Sequence, residues 1–436
     1  MTVQSAKQSK LLKFLELDIP SWVAILNFFT VACLLLGVFA ANYLNVKVSV
    51  LISYMFAEQP GLGVPYDFTG KDMSGHYFGD FLQTVDWSTR QNPWTLGIAN
   101  YPPLPVYLLK LISWMPYDSA RLVYFLAIFL FAVLVTWFIT KGLPTAARFT
   151  LSGALGLAGA PILAALDRGN NVAFVGAMFG LFVYAIVRDK KKLAVAMLVL
   201  MVSFKIYPVI FGLVFLRKKW FKEAAVSAAI VVALNTLLFA ITPGGLAATF
   251  QGFWKANQTF GSIQSGFAVN AWTDALTQMG WSAPDASAFS AQWIAGLVKL
   301  LPWMAIIAAA SATLLGQLSL VERLYLLAMA TMFFNGAPIS YNWTWAPFFI
   351  ALAFVALHTR NEEEGRIGRY WLREPLLTYA TVTLAVLCMP AGWHFEGTQL
   401  ALLPYMGWLF GLVGVVLALA VNSARVAAKW RVSSDS

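Results

Sequence analysis

The chain has 436 residues, of which 59% are hydrophobic and only 11% are charged, and its mean hydropathy is +0.69. Soluble globular proteins carry roughly 25% charged residues, so this composition excludes an ordinary soluble domain and predicts an all-α polytopic membrane protein. The formal net charge of +10 does not predict a nucleic-acid partner, because Lys and Arg in a membrane protein mainly report orientation. Two cysteines exclude a disulfide framework.

Apolar runs of roughly 20 residues are needed to cross a bilayer, and such runs recur along the chain. They lie near 21–44, 120–140, 149–166, 171–187, 223–241, 297–318, 324–337, 343–358, 375–390 and 401–422. The short segment 103–116 is bounded by prolines and predicts an interfacial or re-entrant helix. The segment 193–216 is interrupted at Lys205 and Pro208, and we expect it to be a hairpin.

The basic clusters determine the predicted orientation. The clusters at 188–192 and 217–222 both belong on the cytoplasmic side, which requires the hairpin between them. The chain then forms a single membrane domain over residues 1–436, with about twelve passes and both termini cytoplasmic. Its large extracytoplasmic loops are 45–119 and 242–295, and the second is expected to be a lid or binding loop or, equally, a passive connector.

Asp80 is the most interesting acid in the first outer loop. A solvated loop acid is the ordinary interpretation of any one of the four aspartates there, Asp67, Asp72, Asp80 and Asp86. Asp80, however, is flanked by Phe78, Phe81 and Leu82, which predicts partial burial. A carboxylate within hydrogen-bond reach of a hydroxyl can take its proton during attack. Asp80 is therefore the candidate general base, with Asp86 as the fallback.

Two cations are candidates for binding a phosphate. Arg168 follows an apolar run, and its planar guanidinium suits bidentate phosphate binding; the alternative is an ion pair with Asp167 that closes a helical hairpin. Lys205 interrupts an apolar segment beside Tyr207 and Pro208, and an ionisable residue in such a place suggests a functional site. Its alternative is snorkelling to the interface.

Polar and aromatic side chains on the same outer face are candidates for binding a sugar or the acceptor. Trp343 and Trp345 could stack on a sugar ring or belong to an aromatic belt, and His394 with Glu396 forms a second acid/base candidate or a solvated loop. The candidate sugar- or acceptor-binding residues are Tyr101, Asn170, Asn171, Tyr207, Tyr341, Asn342 and His394.

Motifs for other chemistries are missing from the sequence. It has no GxGxxG, Walker A, GxSxG or HExxH pattern in the required context, which argues against nucleotide-cofactor enzymes, P-loop ATPases and serine hydrolases. We expect no metal and no cofactor, because positive side chains can stabilise a departing phosphate.

With these residues in place, the chain resembles glycosyltransferase family 87 of the GT-C superfamily. The resemblance is carried, in matching order over roughly 75–345, by Gly79-Asp80-Phe81, Tyr101-Pro102-Pro103-Leu104, Arg168-Gly169-Asn170-Asn171, Lys205-Ile206-Tyr207-Pro208 and Ser340-Tyr341. Members of the family often have a histidine pair after the Ser-aromatic motif. Here the matching stretch is Asn342-Trp343-Thr344, so any histidine role is absent or falls to His76 or His394.

The resemblance implies a GT-C fold with short interfacial helices in its outer loops, in a bacterial plasma membrane. It also implies an inverting transferase that moves a sugar, mannose favoured, from a polyprenyl monophosphate to a glycolipid or cell-envelope glycan. Asp80 would be the base, and Arg168 and Lys205 would hold the donor phosphate. Two alternatives stay open: a flippase or transporter of lipid-linked sugars, and an O-antigen-ligase-like transferase that uses a pyrophosphate donor.

Overall fold

The computed structural model describes residues 19–43, 79–95, 97, 99–332, 343–364, 375–388 and 413–428. This part of the chain is helical and contains no β-strand. Its helices are α1 (Ile19–Tyr43), α2 (Gly79–Thr89), α3 (Pro103–Lys110), α4 (Tyr117–Ile139), α5 (Thr145–Leu151), α6 (Ala160–Arg168), α7 (Val172–Val187), α8 (Lys191–Phe204), α9 (Gly212–Arg217), α10 (Phe221–Ala240), α11 (Gly245–Gln278), α12 (Ala283–Phe289), α13 (Ala295–Leu315), α14 (Leu320–Met332), α15 (Ala346–Glu364), α16 (Pro375–Cys388) and α17 (413–428). The all-α prediction is confirmed for these residues.

Two of the described helices are long and apolar enough to cross a bilayer, over Ser119–Ile139 in α4 and Phe221–Ala240 in α10. Shorter apolar helices accompany them, among them Ser21–Leu36 and Val172–Val187. The count of about twelve passes stays a prediction.

The apolar run 149–166 is not one continuous span, which corrects the sequence-based expectation. Helix α5 passes into a π-helical turn at Ser152–Leu157, and α6 begins only after an extended residue at Gly159. A side chain at Gly156 would place its Cβ 2.8 Å from the Thr136 hydroxyl of α4. Hydropathy alone does not register such a break, because the glycines that permit it are compatible with an apolar run.

The predicted hairpin over 193–216 is confirmed. Helix α8 ends at Phe204, Lys205 is extended, and a 3-10 turn over Tyr207–Phe211 leads into α9. The returning arm brings the Lys218 ammonium to 2.6 Å from the Asp189 carboxylate and 3.1 Å from the Ile186 carbonyl. The two basic clusters therefore lie at the same end of the hairpin, as the charge distribution requires.

The segment 242–295 is mostly helical rather than an extended loop with short helices. Its main element is α11, a helix of 34 residues, followed by α12. One face of α11 is buried through Thr249, Phe253 and Ala256. Asn257, one of the polar residues that suggested a loop, is exposed on this helix.

Helix α7 lies at the centre of the largest hydrophobic core and is buried along most of its length. Gly176 and Gly180, four residues apart, allow the chain around α15 to approach closely. A Cβ at Gly176 would lie 2.4 Å from the Thr344 carbonyl oxygen, and one at Gly180 would lie 2.7 Å from the Phe348 Cβ. The Thr344 hydroxyl also donates a hydrogen bond to the Val172 carbonyl at 2.9 Å.

A smaller hydrophobic core joins α2 and the segment up to α3 to α10 and α11. It contains Trp87, Trp94, Tyr101, Phe239 and Phe253. The Asn92 amide donates hydrogen bonds to the Pro243 carbonyl and the Thr249 hydroxyl, and its oxygen accepts the backbone N–H groups of Trp94 and Thr95. The segment that follows α2 is thus fixed to the rest of the protein by packing and by hydrogen bonds.

Candidate functional site

Asp80 lies in the first turn of α2, where the helix dipole favours a negative charge. The next residue, Phe81, is fully buried and packs on the Tyr124 ring of α4, with ring centroids 4.7 Å apart. This anchor fixes the helix start against the core. The Asp80 side chain itself is 14% exposed, which confirms the partial burial predicted from its apolar neighbours.

Arg168 binds the Asp80 carboxylate with two hydrogen bonds. Its Nε lies 2.9 Å from Oδ2 and its Nη2 lies 3.2 Å from Oδ1, the fork geometry of a bidentate charge-assisted pair. Arg168 ends α6, and Gly169 follows in the left-handed conformation at φ 62°, which glycine adopts without strain. The alternative pairing with Asp167 concerns a side chain that lies outside the described residues.

Asn170 holds the same carboxylate from a second direction. Its Nδ2 donates to the Asp80 Oδ2 at 2.6 Å, and its Oδ1 accepts the backbone N–H of Val172 at 2.9 Å. The second bond fixes the amide orientation at the start of α7. Asn170 is 3% exposed, and in this state it contacts Asp80 rather than presenting its amide to a sugar.

Lys205 extends the positive side of the cluster. Its ammonium lies 3.7 Å from the centroid of the Tyr101 ring and interacts electrostatically with both Asp80 and Arg168. Tyr101 is held in turn because its carbonyl accepts the Trp94 indole N–H at 2.9 Å. Four elements that are distant in sequence therefore bring together the two predicted phosphate-binding cations, the predicted base and Tyr101.

The fallback acid Asp86 lies on a different face of α2. Its carboxylate is paired with Arg90, four residues later, at 2.8 Å, and the two side chains are about half exposed, at 51% and 43%. Exposed pairs of this kind contribute little to stability. The geometry favours Asp80 over Asp86 as the acid of the site.

Tyr207 and Asn171 lie around the start of α7. Tyr207 is half-buried and lines a small cavity with Gly176, Thr344 and Trp345. Asn171 is 3% exposed. The other predicted site residues, Tyr341, Asn342 and His394, lie outside the described residues, as does His76.

Sequence reasoning missed two contributors to this region. Tyr124 supports Phe81 beneath Asp80 and interacts with the Asp80 charge, but nothing in the apolar run around it distinguishes it from a lipid-facing tyrosine. Thr344 ties the segment before α15 to α7 through the Val172 carbonyl; its position after the Ser-aromatic motif was the available signal. Among the described residues, no group of three His, Cys, Asp or Glu side chains could hold a metal ion.

Comparison with known families gives one match. The family model for glycosyltransferase family 87 matches residues 100–335, which is more than half of the chain. The matched region contains Arg168, Asn170 and Lys205, and it begins after Asp80. No curated protein matches the chain.

Proposed function

The chain belongs to glycosyltransferase family 87, within the GT-C superfamily, and we propose that it is an inverting transferase that uses a polyprenyl monophosphate sugar. Mannose is the favoured sugar, and the acceptor is a glycolipid or cell-envelope glycan on the extracytoplasmic face of a bacterial plasma membrane. The observation that carries the proposal is the pair of hydrogen bonds from Arg168 to the Asp80 carboxylate. Lys205 interacts electrostatically with both residues.

The two cations and the Asn170 amide form a site suited to an anionic oxygen group. The Asp80 carboxylate occupies it in this structure with the two-oxygen geometry that a phosphodiester would also offer to Arg168. A donor phosphate that enters beside Lys205 competes with Asp80 for the guanidinium. Lys205 adds a second positive charge, which a single carboxylate does not neutralise.

This competition links donor binding to the release of the base. While Arg168 binds both oxygens of the Asp80 carboxylate, those oxygens are less open to an acceptor hydroxyl. When the donor phosphate takes over Arg168, Asp80 keeps its contact with Asn170, and its released oxygen is open to the acceptor hydroxyl. Asp80 would therefore be available as a base only when a donor is in place.

The proposed transfer step uses the same groups. The acceptor hydroxyl gives its proton to the Asp80 carboxylate as its oxygen forms a bond to the anomeric carbon. The bond from that carbon to the phosphate oxygen breaks, and the electron pair leaves with the polyprenyl phosphate. Arg168 and Lys205 stabilise the negative charge that develops on the phosphate. Attack opposite to the leaving group inverts the configuration.

Family membership supports a transferase over the flippase alternative. The ligase-like alternative differs in its donor, which carries a pyrophosphate. The cluster has two cations close to one carboxylate, which suits the charge of a monophosphate diester.

The test is to offer purified protein in detergent or nanodiscs a panel of donors with a mixed glycolipid acceptor. The panel contains polyprenyl monophosphates and pyrophosphates of mannose, glucose and arabinofuranose. The proposal expects a glycosylated product of inverted configuration from a monophosphate donor, with mannose transferred fastest. Product from pyrophosphate donors alone would contradict it, and so would movement of the donor across a bilayer without any transfer.

A further inference from the structure

The start of α7 contains a buried amide with no structural role in the described part of the chain. Asn171 is 3% exposed, and neither its Nδ2 nor its Oδ1 has a hydrogen-bond partner there. Leaving a buried polar group unpaired costs about 1–3 kcal/mol. An apolar residue at this position would avoid that cost, so the buried amide suggests a functional role.

Helix capping does not explain this amide. Asn171 is the N-cap of α7, a position where asparagine usually accepts a backbone N–H from the first turn. Here the side chain makes no capping bond, and the Asn170 side chain accepts the Val172 N–H instead.

Asn171 shares a helix face with two residues that line the small cavity at the start of α7. Asn171, Val175 and Phe179 are spaced four residues apart and so share one helix face, and Val175 and Phe179 line the cavity with Thr344 and Trp345. The neighbouring Trp343 is 2% exposed and stacks on Trp345, with centroids 5.9 Å apart. Its indole N–H is also without a partner among the described residues.

No charged residue lines the cavity, and most of its lining is apolar. The two unpaired polar groups in this region, the Asn171 amide and the Trp343 indole N–H, are both neutral. An amide supplies both donors and acceptors, and an indole supplies one donor. Hydroxyl groups of a ligand match these donors and acceptors, because each hydroxyl can both donate and accept a hydrogen bond. Asn171 directly follows Asn170, whose Nδ2 donates a hydrogen bond to the Asp80 Oδ2 at 2.6 Å.

We propose that the Asn171 amide binds a hydroxyl of the donor's sugar ring and determines which sugar is accepted. The inference rests on the proposed function, since the sugar is directly bonded to the phosphate that Arg168 and Lys205 would hold. Acceptor hydroxyls share the same chemistry. The donor is favoured because Asn171 lies three residues after Arg168, which is proposed to hold the donor phosphate.

The experiment compares wild type with Asn171→Leu, which has a similar side-chain volume and no polar atoms. The control is Asn235→Leu, which removes a half-buried amide of α10 that donates only to its own helix, to the Val231 carbonyl at 2.8 Å. Each protein is assayed for kcat/KM with the full donor and with donors that lack one ring hydroxyl. A parallel series uses deoxy acceptors, and thermal unfolding is recorded for each variant.

We expect Asn171→Leu to unfold at or above the wild-type temperature and to lose about tenfold in kcat/KM, whereas Asn235→Leu keeps wild-type kcat/KM. One deoxy donor should be about tenfold poorer than the full donor for wild type but no poorer for Asn171→Leu. Wild-type kcat/KM in Asn171→Leu would overturn the inference, and so would the same deoxy-donor penalty in both proteins. Loss of sensitivity to a deoxy acceptor alone would assign the amide to the acceptor instead. A wild-type protein that transfers no sugar would contradict the proposed function rather than this inference alone.

Discussion

Asp80 and Arg168 are 88 positions apart in the sequence, yet the guanidinium of Arg168 binds both oxygens of the Asp80 carboxylate, at 2.9 and 3.2 Å. The pair joins the first turn of α2 to the last residue of α6, and both side chains are largely buried. In the proposed mechanism the two side chains are paired when no donor is bound, and a donor phosphate separates them.

Arg168→Lys should weaken donor binding. A lysine keeps the charge but loses the planar fork that binds two oxygens at once, so the KM for the donor should rise by about tenfold. The matched control is Arg90→Lys in the exposed pair with Asp86, which should leave donor KM unchanged. Equal effects of the two substitutions would argue against a phosphate role for Arg168.

Tyr101→Leu should weaken donor binding more than Tyr101→Phe does. The Lys205 ammonium lies 3.7 Å from the Tyr101 ring centroid, and an aromatic face attracts a cation by about 1 kcal/mol. Phenylalanine retains that face and leucine removes it. The donor KM should therefore rise roughly fivefold in the leucine variant alone. If both variants change donor KM equally, the ring is not what positions Lys205.

Asn170→Ala should lower kcat more than it changes donor KM. The amide fixes one carboxylate oxygen of Asp80 at 2.6 Å, and a base that loses its orientation loses about 10-fold to 100-fold in rate. Steady-state kinetics over a range of donor concentrations separates the two parameters. A rise in KM without a fall in kcat would assign Asn170 to binding the donor's sugar, one of the roles predicted from the sequence.

Gly176→Ala should destabilise the fold. The new Cβ would lie 2.4 Å from the Thr344 carbonyl oxygen, so α7 and the chain before α15 must separate, at a cost of about 1–3 kcal/mol. Gly296→Ala is the control, since its Cβ would meet nothing within 4 Å and alanine favours a helix. Thermal unfolding in detergent should show a lower midpoint for Gly176→Ala only. Equal midpoints would mean that the close contact is not required.

Much of the helical framework could be predicted from the sequence, because apolar runs and charge asymmetry are local signals. The hairpin at Lys205 followed from the two basic clusters that flank it, and Lys218 does return to Asp189. The break in 149–166 and the long helix α11 were missed. Hydropathy does not distinguish a glycine-rich π turn from a continuous span, and polar composition does not distinguish a loop from a helix with one buried face.

The candidate site was predicted as a set of residues but not as an arrangement. Asp80, Arg168 and Lys205 were each identified by an unusual local context. That Arg168 binds Asp80, and that Asn170 also binds it, depends on how α2, α6 and α7 pack. Only the folded chain reveals such long-range pairing. The Asn171 amide illustrates the same point, since its lack of partners is a property of its surroundings.

The central claim is that Asp80 is the base and that it competes with the donor phosphate for Arg168. The direct test is to measure sugar transfer and donor binding for Asp80→Asn, with Asp86→Asn as the control. We expect Asp80→Asn to reduce kcat by at least about 100-fold and to bind the donor at least as tightly as wild type, because a neutral amide competes less for the guanidinium. Asp86→Asn should retain wild-type transfer. Near wild-type transfer by Asp80→Asn would contradict the claim.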